Sequence, residues 1–243
     1  MIKKKDKETK GELIFGIHPI IELLKAKRRK LVSLYTTKPA PQAFEAIQKL
    51  LPKYPVAIQY VTRDILDRMV GTTDHQGIVA WAQHFPYRKT FFDSKKHPFL
   101  VMIDGVQDPR NVGAILRSAY CTGVDGVVMV TRSGASVTGI AIKSAAGLSE
   151  HLEIYIAQSA SAAVIELKKA GYTIYLATFD GENALLCDYK KPLCIVIGGE
   201  GSGISKSILS SGIHVTLPQK VHDISYNASV AAGILLFLIA HRR

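Results

Sequence analysis

The sequence predicts an α/β protein of two parts, a small N-terminal α/β domain followed by a larger C-terminal α/β domain built on a parallel sheet. Short β-branched apolar runs alternate with helical stretches along the chain. After residue 98 the alternation is regular enough to imply a sheet covered by helices on both faces. The periodicity lapses over residues 85–97, FPYRKTFFDSKKH, which gains Lys, Arg and Pro as connecting segments do. With 243 residues and 47% apolar content there is material for one large core or two small ones, and a disordered chain is excluded. The predicted divisions are a basic tail over 1–10, an N-terminal domain over 11–84, a linker over 85–97 and a C-terminal domain over 98–243.

In the N-terminal part the order is a helix around 19–27, a strand at 32–35, a helix at 42–51, a strand at 56–60, a helix near 63–69 and a strand at 77–82. In the C-terminal part strands are predicted at 99–103, 126–130, 151–156, 173–178, 193–197 and 214–216. Helices are predicted there at 112–122, 141–149, 161–170, 205–210 and 228–241. The apolar run at 228–240, about thirteen residues, falls short of the roughly twenty that span a bilayer and reads as a buried helix. Leu235, Leu236, Leu238 and Ile239 on it suit either the core or an interface with a second copy.

Lys plus Arg number 31 against 20 Asp plus Glu, and the formal charge of +11 favours a polyanionic partner, either nucleic acid or an acidic membrane surface. The tail carries five lysines against Asp6 and Glu8; it reads as a solvated end, with a loose RNA-gripping arm as the functional alternative. It is not followed by an apolar stretch, so no signal peptide is expected. Cys121, Cys187 and Cys194 are isolated and odd in number, which argues against a disulfide framework or a zinc site and for a reducing cytosol.

Three segments place polar or glycine residues just after a buried strand, where open α/β sheets bind ligands. In the first, Asp104-Gly105 is followed by Asp108-Pro109-Arg110-Asn111 and a helix carrying Arg117; the bland reading is a capping Asn111 and a surface Arg117. In the second, an apolar strand runs into Gly198-Gly199-Glu200-Gly201-Ser202-Gly203, whose backbone N–H groups can approach a ligand closely. This run matches neither a Walker A loop nor GxGxxG, and Glu200 within it would repel phosphate but accept hydrogen bonds from a ribose or orient an arginine. In the third, a strand ends at Leu217-Pro218, and Ser225, Asn227 and Ser229 lead into the last helix, with capping by Ser225 or Asn227 as the structural alternative. His222-Asp223 has no accompanying nucleophile motif such as GxSxG.

Together these segments resemble the three motifs of the SpoU, or TrmH, family of RNA 2′-O-methyltransferases in the SPOUT superfamily. Asp108-Pro109-Arg110-Asn111-Val112-Gly113 with Arg117-Ser118-Ala119 resembles the first motif, the glycine run at 198–203 the second, and Ser225-Tyr226-Asn227-Ala228-Ser229-Val230-Ala231 the third. Phe15-Gly16-Ile17-His18 and His75-Gln76-Gly77-Ile78-Val79-Ala80 resemble the RNA substrate-binding domain of many members. The closest likeness is to the branch that methylates a guanosine of large-subunit (23S) ribosomal RNA. The resemblance implies an α/β trefoil-knot methyltransferase domain, S-adenosylmethionine as cofactor, RNA as substrate and a cytoplasmic homodimer. It places the cofactor among Thr178, Gly198, Gly199, Gly201, Leu217 and Tyr226, and the catalytic set at Arg117, Asn111, Glu200, Ser225 and Asn227. Arg117 would act on the ribose hydroxyl, either as an unusual base partnered by Asn111 or Ser225, or as a cation that clamps phosphate and acidifies the hydroxyl. Glu200 would hold Arg117, Asn111 or the ribose, and Ser225 with Asn227 would shape the cofactor turn. The alternatives are a transfer-RNA methyltransferase of the same family, a non-catalytic RNA-binding or ribosome-assembly protein on this fold and, more distantly, an NAD-dependent Rossmann enzyme.

Overall fold

A computed structural model describes residues 11–131, 134–220 and 225–242; the basic tail and the His222-Asp223 pair lie outside the described residues. The chain forms two compact units: residues up to Pro86 with Val137–His151, and Tyr87–Ser136 with Leu152–Arg243.

The first unit is built on a four-stranded sheet of order β1-β4-β2-β3, with β1 at Glu12–Phe15, β2 at Leu31–Thr36, β3 at Ala57–Tyr60 and β4 at Ile78–Ala82. The β2–β3 pair is parallel, and β4 runs antiparallel to both β1 and β2. Helices α1 (Ile17–Ala26), α2 (Phe44–Leu50) and α3 (Arg63–Val70) join the strands, and α5 (Gly139–Ser144) packs beside β1. Several buried polar groups of this unit satisfy one another, though the buried Ser149 hydroxyl has no partner among the described residues. Arg29 donates to both carboxylate oxygens of Glu150 at 3.1 and 2.5 Å, and also to Glu12 and the Gln83 carbonyl, both at 2.8 Å. Nδ1 of buried His75 accepts from the Gly77 N–H at 2.9 Å, so the proton sits on Nε2, 2.7 Å from Asp67.

The second unit carries a six-stranded, wholly parallel sheet of order β10-β8-β9-β5-β6-β7. Its strands are β5 (Phe99–Asp104), β6 (Gly126–Val130), β7 (Ile154–Ala157), β8 (Thr173–Asn183), β9 (Leu193–Gly198) and β10 (Ile213–Thr216). Central β5 and β6 are buried along their whole length and lack the in–out alternation of a half-solvated sheet, as expected when both faces are covered. Helix α6 (Ala160–Lys169) packs against β6, β7 and β8, while α4 (Pro109–Cys121) packs on α7 (Ala228–His241). Residues 87–97 also belong here: the Arg88 N–H bonds the Ile154 carbonyl at 2.8 Å and Phe92 is buried in the core.

Five elements in particular differ from the sequence expectation. Strand β1 is not expected, because four residues with Glu12 at their head are too short to display a period. The helix expected over 141–149 breaks after Ser144, where Ala146 and Gly147 take φ of 52° and 82°, and resumes as a 3-10 turn at Leu148–His151. That turn displaces the start of the following strand to Ile154. The short helix at 205–210 is a 3-10 turn, Lys206–Ser211. Strand β8 runs on to Asn183, through polar residues around Gly181 that read as loop, because β10 pairs with it again beyond an irregularity: His214 opposes Leu176 but Val215 opposes Glu182.

Candidate cofactor and substrate site

A cavity of about 440 Å³ opens at the carboxyl ends of β8, β9 and β10, beside the point where the strand order reverses between β9 and β5, the usual place for a ligand in such a sheet. Its size falls within the roughly 300–1,000 Å³ of small-molecule sites. One wall is the β8 irregularity at Ala177, Thr178 and Phe179, where the Thr178 hydroxyl lies 2.7 Å from the Asp180 carbonyl and 3.1 Å from His214 Nδ1. A second wall is the loop after β9. A third is the α7 face made by Ala228, Ala231 and Leu235, three residues at helical spacing. All six residues expected to hold the cofactor, Thr178, Gly198, Gly199, Gly201, Leu217 and Tyr226, line it, as do Glu200 and Ser225.

The loop after β9 shows why glycine is needed there. Gly199 and Gly203 exchange backbone hydrogen bonds at 3.2 and 3.0 Å, closing a tight turn. A Cβ on Gly199 would stand 2.3 Å from the Gly105 carbonyl oxygen, whereas one on Gly201 would meet no protein atom within 4 Å. Gly199 therefore serves the close approach of two strand-end loops, and Gly201 keeps the cavity side of the turn bare.

The remaining expected residues, Asn111, Arg117 and Asn227, do not line the cavity. Helix α4 is capped by Asp108, whose carboxylate accepts from the Arg110 N–H at 2.8 Å with Pro109 in the first turn, so Asn111 is not the cap expected from the sequence. Its side-chain amide is released to donate to the Glu200 carboxylate across the two loops. Arg117 lies roughly 9 Å further along the α4 axis. It is solvent-exposed and, among the described residues, forms no hydrogen bond or ion pair. Neither Asn111 nor Ser225 partners it. Asn227 caps α7, accepting from Ser229 N at 2.9 Å and Ser229 Oγ at 2.7 Å, which decides between the two capping candidates. Sequence reasoning missed Phe179, Lys206 and Gln219 on the lining; Phe179 was within reach, since it follows Thr178, where the expected strand ends.

Two family models match the chain: the SpoU rRNA methylase family over residues 98–237, and the RNA 2′-O ribose methyltransferase substrate-binding domain over residues 13–88. The chain belongs to the SpoU family of RNA 2′-O-methyltransferases, enzymes that use S-adenosylmethionine. Among relatives, the 23S rRNA (guanosine-2′-O-)-methyltransferase RlmB of Shewanella oneidensis is 30% identical, the match covering 96% of this chain and 98% of that one. YacO of Bacillus subtilis, whose name places it in the TrmH family of tRNA/rRNA methyltransferases, is 32% identical over 96% of each chain. Among solved structures, an RNA 2′-O ribose methyltransferase superposes with a TM-score of 0.83 at 21% identity, over 97% of this chain and 90% of its own. The AdoMet-bound rRNA methyltransferase of Sinorhizobium meliloti gives 0.79 at 21% identity, over 97% and 89%. These likenesses establish the fold: a substrate-binding domain and a SpoU-type methyltransferase domain. The cavity suits the cofactor, with apolar walls for the adenine, bare glycine backbone for close approach, and Glu200 and Ser225 at its edge.

Proposed function

We propose that the protein methylates the ribose 2′-oxygen of a guanosine in large-subunit ribosomal RNA, working as a homodimer in the cytosol. The observation that carries this reading is the glycine-walled cavity at the strand ends, whose Glu200 is bonded to Asn111 on the helix that bears Arg117. The match to RlmB along nearly its whole length, N-terminal domain included, favours a ribosomal guanosine. Thr178, Gly198, Gly199, Gly201, Leu217 and Tyr226 would hold S-adenosylmethionine, which supplies an electrophilic methyl group when bound.

The chain's own task is to make a poor nucleophile attack. Arg117 is exposed and forms no ion pair or hydrogen bond among the described residues, which supports the electrostatic version of its role, since a guanidinium offers donors and no acceptor. As a cation it would clamp a phosphate and favour the ionised hydroxyl. Glu200 fixes Asn111, and the pair would orient the ribose; Ser225 and Asn227 would hold the turn that closes over the cofactor. The surplus of positive charge adds sequence-independent grip on the RNA backbone.

Helix α7 is apolar on every side, yet only part of it is covered. Leu235, Leu236 and Ile239 are buried, whereas Val230, Ile234 and Phe237 are 48%, 37% and 56% exposed. A helix of this composition is ordinarily buried all round, so this face is the proposed contact with a second copy.

The test is transfer of tritiated methyl from S-adenosylmethionine to total RNA of a strain lacking the gene, followed by mapping of 2′-O-methyl sites. Label at one guanosine of the large ribosomal RNA, lost in Arg117→Ala, is expected. Label in transfer RNA alone would move the target to the other branch of the family, and no label would overturn the catalytic reading.

A further inference from the structure

We infer that Asp104 is a positioning residue for the cofactor loop, holding residues 198–205 in their binding shape before the cofactor arrives. The inference rests on the assignment of the cavity to S-adenosylmethionine.

Asp104 is the last residue of β5 and its side chain is wholly buried. A buried carboxylate is costly unless it is paired or hydrogen-bonded. Among the described residues no cation pairs with Asp104. Both of its oxygens instead accept from one residue on another loop: Oδ2 from the Ser205 N–H at 2.8 Å and Oδ1 from the Ser205 hydroxyl at 3.0 Å. Two bonds from one residue to the two oxygens of a wholly buried side chain fix both position and orientation, so this is a firm clasp.

Its location gives the clasp a purpose. In the β5–β9 register Asp104 stands opposite Gly198, the residue where the loop leaves the sheet, and it grips Ser205, the residue at which the loop is complete. Departure and return are thus held at a single side chain. Between them the Gly199–Gly203 bridge narrows the loop, and at the tip Glu200 is tied to Asn111. The loop is cross-linked at base, waist and tip, and only the base uses a group out of reach of any ligand: Asp104 is not on the cavity lining. A loop ordered in advance does not lose its freedom at the moment of binding, so the clasp should appear as affinity for the cofactor.

The experiment compares Asp104→Ala, Asp104→Asn and Ser205→Ala with the wild type by calorimetric titration of S-adenosylmethionine and by hydrogen exchange of the Gly199 and Gly203 amides in the unliganded protein. Loss of a doubly accepting carboxylate should weaken binding about tenfold or more in Asp104→Ala. Asp104→Asn, which can turn its amide to accept from the N–H and donate to the hydroxyl, should recover most of this, and Ser205→Ala, which keeps the backbone bond, should lose about threefold. Exchange at Gly203 should quicken in the same order. KM for the cofactor should rise while kcat at saturation stays within about threefold, a split that general destabilisation does not produce. Should Asp104→Ala not fold, the other two variants carry the comparison. Cofactor affinity within twofold of wild type and unchanged Gly203 exchange in the folded variants would overturn the inference. A wild type that does not bind S-adenosylmethionine at all would instead overturn the cavity assignment beneath it, so the two failures are distinguishable.

Discussion

The two units use polar side chains in opposite ways. In the first, Arg29, Glu150 and Glu12 close on one another, and His75 is held between Asp67 and the Gly77 N–H. In the second, Asp104 is buried and held at both oxygens, but the polar side chains assigned to the site remain open: Glu200 bonds Asn111 and stays exposed, Ser225 and Asn227 are exposed, and Arg117 stands in solvent. Polar groups that complete one another shape a surface, whereas groups left half-satisfied at a cavity await a ligand. Substitutions should therefore cost stability in one unit and function in the other.

The sharpest separation is expected at Arg117. Arg117→Ala should lower methyl transfer by about 10²–10⁴-fold while leaving denaturant stability within about 0.5 kcal/mol, as for an exposed surface site; loss of stability matching the loss of activity would erase the contrast. Glu150→Ala is the counterpart. Leaving two donors of buried Arg29 without an acceptor, with only Glu12 and the Gln83 carbonyl still bonded, should cost about 1–3 kcal/mol, read as a shift in the urea midpoint, with S-adenosylmethionine affinity unchanged. Within the second unit the two glycines sharpen the comparison. Gly199→Ala should lower both stability and cofactor affinity, because its methyl would stand 2.3 Å from the Gly105 oxygen. Gly201→Ala should lower cofactor affinity alone, measurable by calorimetry beside a thermal melt. The smallest effect belongs to a residue that serves both purposes. Asn227→Ala should cost about 1 kcal/mol as a lost helix cap, and a larger fall in activity than that energy accounts for would assign it a contact with substrate as well.

The fold is largely legible in the sequence because its larger sheet is parallel: strands buried on both faces read as plain apolar runs, and helices separate them. What escapes is context. Period says that 141–149 is helical, and α5 is, but no period says which sheet a helix covers; the packing against β1 comes from contacts distant in sequence. Residues 179–183 read as loop and are strand, since β10 resumes pairing beyond the irregularity. At the site, Gly198, Gly199, Glu200 and Gly201 are legible because a run of glycines after an apolar strand gives up side-chain packing, a loss that close backbone approach offsets. Asn111 reads as a cap and is not one, since Asp108 and Asn111 near the helix start can both cap and only geometry selects Asp108. The exposed face of α7 is equally hidden. Of the four residues singled out by their apolarity, Leu235, Leu236 and Ile239 are buried and Leu238 is half-buried, and the residues left uncovered are Val230, Ile234 and Phe237.

The ion pair between Arg29 and Glu150 joins residues 121 positions apart, and both belong to the first unit. A ribosome therefore finishes β5, α4 and β6 of the second unit before it delivers the segment that completes the first. The N-terminal domain cannot reach its final form simply by emerging first; it must wait, with one of the two carboxylate partners of Arg29 still missing, until residue 150 clears the exit tunnel. Neither unit can be excised by a single cut, and the two halves are interleaved in the order of their birth as well as in the chain.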